Sequence, residues 1–416
     1  MLRPLVRAHS RAPNPTNRNE LTMTLQIRQV TTAAEMKAFI QFPWTLYKDF
    51  PHWIPELPSL RRDTLDKRKH AAWEYLEGEY FLAWRDGQVV GQIAAFVNQR
   101  HNQIYDETLG CFGFFECIHD HEVAQALFQT AETFLSAKGV SAIRGPLNFS
   151  VNDTIGVLTD SFDRDPMILM PYNPPYYIEL IEAAGYHKEM NLYAWRNFFS
   201  KARQTIYEAD GQTEQRVVKA ARRAMQRAEI TVRTLNPRQK QADFQILRQI
   251  YATAWEKNWA SLPLTDRELD NLVRDLGFLL LPDYTFFAYV KDQPAGFMLL
   301  IPNFNEVLSL VRPHPRRPEA WWLVQLLWHW KIRPKIKSLR VILFGVKEEY
   351  RSLGVDAALN LALGEQMMRE QRGFEWVEAG WVLETNENIN RLMEHFGGQM
   401  HRQHRLYRKN LSAGPK

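Results

Sequence analysis

Two segments far apart in the chain carry the same hairpin text. Tyr80-Phe-Leu-Ala-Trp84 passes through Arg85-Asp86-Gly87-Gln88 into Val89-Val-Gly-Gln-Ile-Ala-Ala-Phe96, and Thr285-Phe-Phe-Ala-Tyr-Val290 leads to Ala295-Gly-Phe-Met-Leu-Leu-Ile301. At one fixed offset Phe81 meets Phe286, Ala83 meets Ala288, Gln88 meets Gln293 and Gly91 meets Gly296. Further on, Leu180-x-Glu182-x-x-Gly185 faces Leu392-x-Glu394-x-x-Gly397. A period of roughly 200 residues is too long for a solenoid and fits a duplicated domain. Each copy reads as strand, helix, hairpin, then further strands and helices. In the first, apolar periodicity predicts a strand over 25–30, a helix over 33–47, a strand over 110–117, a helix over 123–138 stopped by Gly139, a strand over 142–148 and a helix over 175–184. In the second, a strand over 230–235 and a helix over 242–258 precede the hairpin. The fold class is α/β (α+β), with two mixed-sheet domains in tandem.

The predicted division is a loose, Arg- and Pro-rich tail over 1–24, a first domain over 25–199, a basic joint over 200–229 and a second domain over 230–410. The tail lacks the apolar run of a secretory signal. In the joint, Arg216, Lys219, Arg222, Arg223 and Arg227 share one helix face. That face reads as a solvated linker or as a contact for an anionic membrane or RNA. Hydrophobic residues at 45% and charged residues at 24% exclude a disordered, collagen-like or membrane-spanning chain. A net charge of +5 is mild, so no specific nucleic-acid partner is expected. Two cysteines, Cys111 and Cys117, cannot build a disulfide framework and point to a reducing, cytoplasmic compartment. Their even separation on a strand predicts two buried thiols on one face.

The segment richest in chemistry is Val341-Ile-Leu-Phe-Gly-Val-Lys-Glu-Glu-Tyr-Arg-Ser-Leu-Gly-Val-Asp356, leading into a helix through Arg369. An apolar strand ends at Gly345 and Val346, a turn carries Arg351 and Gly354, and the helix begins near Val355. Unpaired amide N–H groups and the positive end of the helix dipole then converge where a pyrophosphate can bind. Arg351 adds a fixed cation with several donors, and Gly354 lets the backbone come close.

This text resembles the pyrophosphate loop of the GNAT superfamily of acyl-CoA N-acyltransferases, Arg/Gln-x-x-Gly-x-Gly/Ala, with Asp356 in place of the last small residue. The resemblance continues through the strand Trp376-Val-Glu-Ala-Gly-Trp-Val-Leu383, a helix over 386–396 and a last strand containing Tyr407. It implies acyl-CoA as co-substrate, held by Gly345, Val346, Lys347, Arg351, Ser352, Leu353, Gly354, Val355 and Asn386, an amine as acceptor, and no metal. The first domain has no Arg-x-x-Gly after its Gly113-Phe-Phe-Glu116 strand, so it is read as a degenerate GNAT-like partner. Arg144-Gly-Pro-Leu-Asn-Phe-Ser150 and Pro171-Tyr-Asn-Pro-Pro-Tyr-Tyr177 are similar to a bacterial group of tandem GNAT-like proteins that includes acyltransferases implicated in ceramide synthesis. That likeness implies a long-chain or lipid amine.

Amide formation from a thioester needs a neutral amine, a stabilised oxyanion and an exit for the thiolate. Glu378, sharing a strand face with Gly380 and Val382, is the first choice for general base, against a structural ion-pair carboxylate. The backbone at Gly345 and Val346 is the candidate oxyanion donor. Where many GNAT enzymes place an acid tyrosine, this chain has Met393. Tyr407 or His395 takes that role, or the thiolate leaves unassisted, as a thiol pKa near ~8.5 permits. His401-Arg-Gln-His404 reads as a surface basic strand rather than a metal pair, and Asp120, between His119 and His121, as a helix cap.

One stretch stands apart: Glu319-Ala-Trp-Trp-Leu-Val-Gln-Leu-Leu-Trp-His-Trp-Lys331 is apolar except for a stripe through Gln325, His329 and Arg333. It is shorter than the ~20 residues that span a bilayer. Basic flanks from Arg312 to Lys337 suit a helix lying on anionic lipid over 319–337, while the alternative is a helix buried between the two domains. An aminoacyl-tRNA-dependent transferase and a non-catalytic CoA-binding scaffold remain open beside the leading reading, an acyl-CoA-dependent N-acyltransferase.

Overall fold

The computed structural model describes residues 24–254 and 259–411. The expected tail therefore lies almost wholly outside the described residues, as does the end of the helix expected over 242–258. The strands are β1 (Gln26–Gln29), β2 (Leu76–Arg85), β3 (Gln88–Asn98), β4 (Leu109–Cys117), β5 (Ala142–Gly145), β6 (Val157–Leu158), β7 (His187–Phe198), β8 (Ile230–Thr234), β9 (Thr285–Val290), β10 (Gln293–Pro302), β11 (Ser338–Val346), β12 (Trp376–Leu383) and β13 (Gln399–Asn410). They form one mixed sheet in the order β1-β2-β3-β4-β5-β13-β7-β12-β11-β10-β9-β8, with β6 paired to β13.

Both hairpins turn tightly because two central residues take positive φ, Asp86 and Gly87 in one and Lys291 and Asp292 in the other. Such turns match the twist of the strands they join. The repeat extends to the core. Ala83 and Ile93 pack under Leu127 and Phe128 of the helix His121–Ser136, whose start is capped by Asp120. At the same places in the second half, Ala288 and Met298 pack under Leu359 and Leu363 of the helix Val355–Met368. The opposite faces are covered by Phe39 and Phe149 in the first half and by Leu247 and Ile250 in the second. Fully burying one such aliphatic or aromatic side chain contributes about 1.5–3 kcal/mol.

The halves interleave at the centre. β13, the last strand, lies between β5 and β7 and is antiparallel to both. β7 in turn pairs with β12. Each half thus covers a strand edge of the other, which would otherwise present unpaired N–H and C=O groups. Two pairs are parallel and short: β4 with β5 from Leu109↔Ala142 to Cys111↔Arg144, and β11 with β12 from Ser338↔Trp376 to Val341↔Ala379. Beyond those residues the strands part, once in each half.

Three expectations are corrected. The thiols of Cys111 and Cys117 are buried but on opposite faces, one packed with Phe114 and Leu147, the other with Leu127 and Phe128. The cause is a β-bulge: Gln92 pairs with Glu116 but Ala94 pairs with Gly113, so β4 holds one extra residue and its side-chain alternation inverts. The joint helix, Arg216–Ala228, is not simply solvated. It buries Val218 and Ala221 against Ile206, Leu361 and Phe396, and Arg222 reaches Glu365 at 2.7 Å. The His401–His404 segment is central rather than superficial, with Arg402 and His404 buried.

Candidate active site

β11 delivers the chain to Val346, and the N–H of Lys347 still bonds Ala295 O at 2.9 Å. A tight turn over Glu348–Leu353 follows, and Gly354 adopts φ +88°, ψ 23° before the helix Val355–Met368. A side chain there meets two obstacles: the left-handed conformation, and Ala224 of the joint helix, whose Cβ would lie 2.9 Å from an added Cβ. The joint helix therefore backs the turn from outside. No side chain from the Gly354 position caps this helix start. Asp356, in the first turn, accepts the N–H of Ala357 at 2.8 Å. Burial raises its carboxyl above the usual range, opposed by that backbone bond. Arg351 is exposed and approaches Val346 O at 3.4 Å.

The turn opens into a cleft of about 1490 Å³ that continues across both halves. Gly345, Val346, Arg351 and Asn386 line it together with Asp356 and Asn360; Lys347, Ser352, Leu353, Gly354 and Val355 do not. Asn386 caps the helix Glu387–His395 through the N–H of Ile389 at 3.3 Å. The wall between is apolar, from Phe344 and Ala379 to Leu272 and Phe304. Such a volume exceeds the ~300–1,000 Å³ of a common small-molecule pocket and suits an extended ligand.

Neither residue assigned to proton transfer borders this cleft. Glu378 has no exposed surface, and His401 Nε2 lies 2.7 Å from its Oε2. Burial alone would raise its carboxyl, but the His401 hydrogen bond and charge, then Arg402 and Arg340, hold it below the usual range. Tyr407 is equally buried, its hydroxyl donating to Glu182 at 3.0 Å. His395 is exposed outside the cleft, whereas Met393 lines it. His404, fully buried, is pushed down to about 3 by burial and stays neutral. Among the described residues no group of three or more His, Cys, Asp or Glu is arranged to hold a metal ion.

Sequence reasoning missed two carboxylates at the first-half end of the cleft. Glu116, just past the β4 bulge, accepts the hydroxyls of Tyr47 at 2.6 Å and Tyr177 at 2.7 Å. Burial raises it to about 7 against those two bonds. Asp153 accepts Ser150 Oγ at 2.7 Å and is likewise raised to about 7 by burial. A lone acid inside the apolar run Cys111–Cys117 was the available signal. Five strand spacings of ~4.8 Å separate β4 from β11, roughly 24 Å, so Glu116 belongs to the far end of the cleft from the turn.

A duplicated mixed sheet, with paired strands parting above a glycine turn and a helix start, is the architecture of tandem GNAT proteins. A tandem GNAT protein from the clavulanic acid biosynthesis pathway superposes with a TM-score of 0.52 at 12% identity, covering 94% of this chain and 100% of that one. A GCN5-related glucosamine N-acetyltransferase region of a fungal β-N-acetylglucosaminidase gives 0.51 at 12% identity, covering 93% of this chain and 38% of that one. No family profile matches the chain. Among curated proteins, it is 31% identical over 387 residues to protein YghO of Escherichia coli strain K12, covering 92% of this chain and 95% of that protein. It is 30% identical over 397 residues to the bacterial ceramide synthase of Caulobacter vibrioides, covering 93% and 98%. The chain belongs to the family of these two proteins and has the fold of tandem GNAT proteins.

Proposed function

We propose that the chain is an N-acyltransferase that moves an acyl group from acyl-CoA to the primary amine of a long-chain or lipid acceptor. The observation that carries this reading is that one cleft brings the β11–β12 parting together with Arg351 and Asp356, which flank the Gly354 turn at a helix N-terminus. The second half holds the diphosphate on the backbone N–H groups past Tyr350 and on Arg351. The pantetheine arm then runs between β11 and β12, where the backbone N–H of Val346, pointing away from β10, faces the thioester oxygen. The amine nitrogen bonds the carbonyl carbon, the C–S bond breaks, and the proton released by the amine ends on the thiolate. The acceptor's aliphatic part lies along the apolar wall. The Caulobacter relative, a bacterial ceramide synthase, supports acyl transfer to a lipid acceptor.

Asp356 is the feature that fits least easily, since a carboxylate beside a diphosphate is repelled. Burial already raises its affinity for a proton, and a bound diphosphate raises it further, so the carboxyl takes up a proton as the ligand binds and donates to a phosphate oxygen. Coenzyme A titrated by calorimetry should then bind about tenfold or more weakly to the Arg351→Ala variant and more tightly, with less proton uptake, to Asp356→Asn. Unchanged affinity in both variants removes the turn as the binding site. Asp356 and Met393 also favour a second reading, a protein that binds CoA without turnover. Release of free thiol from a long-chain acyl-CoA in the presence of a long-chain amine, against none without the amine, decides between the two.

A further inference from the structure

The helix Glu319–Leu327 and the wider turn Trp328–Ile332 that extends it lie on the surface of the second half. Only a narrow face is used by the core, where Trp322 and Leu326 are buried beside Val307 and Phe304. Apart from Trp330, which packs on Phe304, the larger remaining apolar side chains point to solvent: Trp321 is 59% exposed, Val324 69%, Leu327 53% and Ile332 59%. On a 3.6-residue helix Trp321, Val324 and Trp328 follow one line, with Leu323 and Leu327 beside it, so the exposed apolar arc is broader than the buried one. Soluble surfaces carry single exposed hydrophobic residues but rarely a continuous face of this kind.

Charge at both ends says what covers it. Arg316 and Arg317 precede the helix and Lys331, Arg333 and Lys335 follow it, all exposed. The Lys331 ammonium lies 3.8 Å from the Trp330 ring centre and the Arg333 guanidinium 5.7 Å from that of Trp328, so the cations sit at the edge of the aromatic face. Lys337 is the exception, bound to Glu375 at 2.5 Å. An apolar arc edged with cations and indole rings matches the boundary between acyl chains and anionic headgroups. Among the described residues no helix is long and apolar enough to cross a membrane, so contact is with one leaflet. The face also reaches the cleft. Phe278 is 54% exposed, stacks edge-on against Trp330 at 5.3 Å and lines the cleft's apolar wall.

We propose that residues 319–335 dock the protein on an anionic lipid surface, with Trp321, Val324, Leu327 and Trp328 in the acyl region and the flanking cations on the headgroups. This places the rim at Phe278 against the leaflet, and it does not depend on the chemistry proposed above. Flotation of the full chain with phosphatidylcholine vesicles, with and without phosphatidylglycerol, tests it without turnover. Binding should require phosphatidylglycerol, weaken with salt, and disappear in the Val324→Glu/Leu327→Glu variant while thermal unfolding is unchanged, both positions being exposed. The Lys331→Glu/Lys335→Glu variant should lose roughly fivefold or more per residue. No flotation with anionic vesicles at low salt overturns the proposal. So does a dimer in solution that Val324→Glu/Leu327→Glu converts to monomer without vesicle binding, because the face would then belong to a second copy.

Discussion

Glu378 sits where the two halves meet, with Arg196 of β7 and Arg340 of β11 as its register partners on either side. Arg340 is buried, donates to Ile168 O at 2.5 Å and to Gly380 O at 3.0 Å, and burial lowers its pKa to about 10. Glu378 is thus the counter-charge that lets buried guanidiniums remain in the sheet. Removing one partner of such a network costs about 3–5 kcal/mol, because the other charges stay buried and uncompensated. The Glu378→Gln variant should show that loss in guanidinium chloride unfolding at pH 7, while turnover per folded molecule changes little. The carboxyl's folded pKa is lowered, so its contribution is complete above the unfolded value of ~4.3 and is lost as pH falls through the folded value. The gap between wild type and variant should therefore begin to narrow as pH falls below the unfolded value and close only below the lowered folded one. A stable variant with turnover abolished would return Glu378 to the role of base. Counting alternate residues along the sequence put Glu378 on one strand face with Gly380 and Val382. That count fails because the register of β12 against β7 shifts between Ala379 and Val382, and a single extra residue inverts every side chain beyond it.

At the scale of the element, the strand–turn–helix of residues 338–368 was legible because its physics is local. An apolar run, a positive-φ glycine and a helix start need nothing from the rest of the chain. What the local text does not contain is the joint helix lying against the turn. Gly354→Ala should destabilise the protein by about 1–2 kcal/mol through left-handed strain alone, and by more through contact with Ala224. Pairing it with Ala224→Gly removes the contact, so the double variant should be more stable than the sum of the two single losses, even though Gly in a helix itself costs roughly 1 kcal/mol. Strict additivity in denaturant unfolding would mean that the joint helix does not back the turn. Other elements escaped reading for different reasons. β7 is buried on both faces, with Asn191, Leu192, Ala194 and Trp195 all covered, so it lacks the polar alternation of a half-exposed strand. The repeat nonetheless contained it: the offset that aligns Leu180 with Leu392 also carries His187–Phe198 onto Gln399–Asn410. The helix Asp266–Leu276 announced itself by the capping box Thr265 and Glu268, a signal left unread.

For the whole molecule, duplication was legible and the exchange of strands was not, since equal strands in two copies carry no text saying which copy they join. The exchange has a mechanical consequence. β13 contributes to β5, β6 and β7, all from the first half, although it is the last of the described strands. Its buried side chains include Arg402, His404, Leu406 and Tyr407, and the Tyr407 hydroxyl reaches Glu182 on a first-half helix. Without β13 the first half loses the partner of both β5 and β7, and the second loses His401, which holds Glu378. Two domains joined by an ordinary linker would each melt on their own; domains that complete one another's sheet cannot. The chain should therefore unfold in one calorimetric transition, with equal van 't Hoff and calorimetric enthalpies. A chain ending after Gly398 should fail to give a folded first half, as read by near-ultraviolet circular dichroism. Supplying a peptide of residues 399–411 to that truncated chain tests the same point from the other side, because a strand that belongs to both halves should restore order in both at once. A first half that folds alone, or two separate transitions in the full chain, would show that the central strands merely adjoin and that the continuous sheet has no part in holding the cleft together.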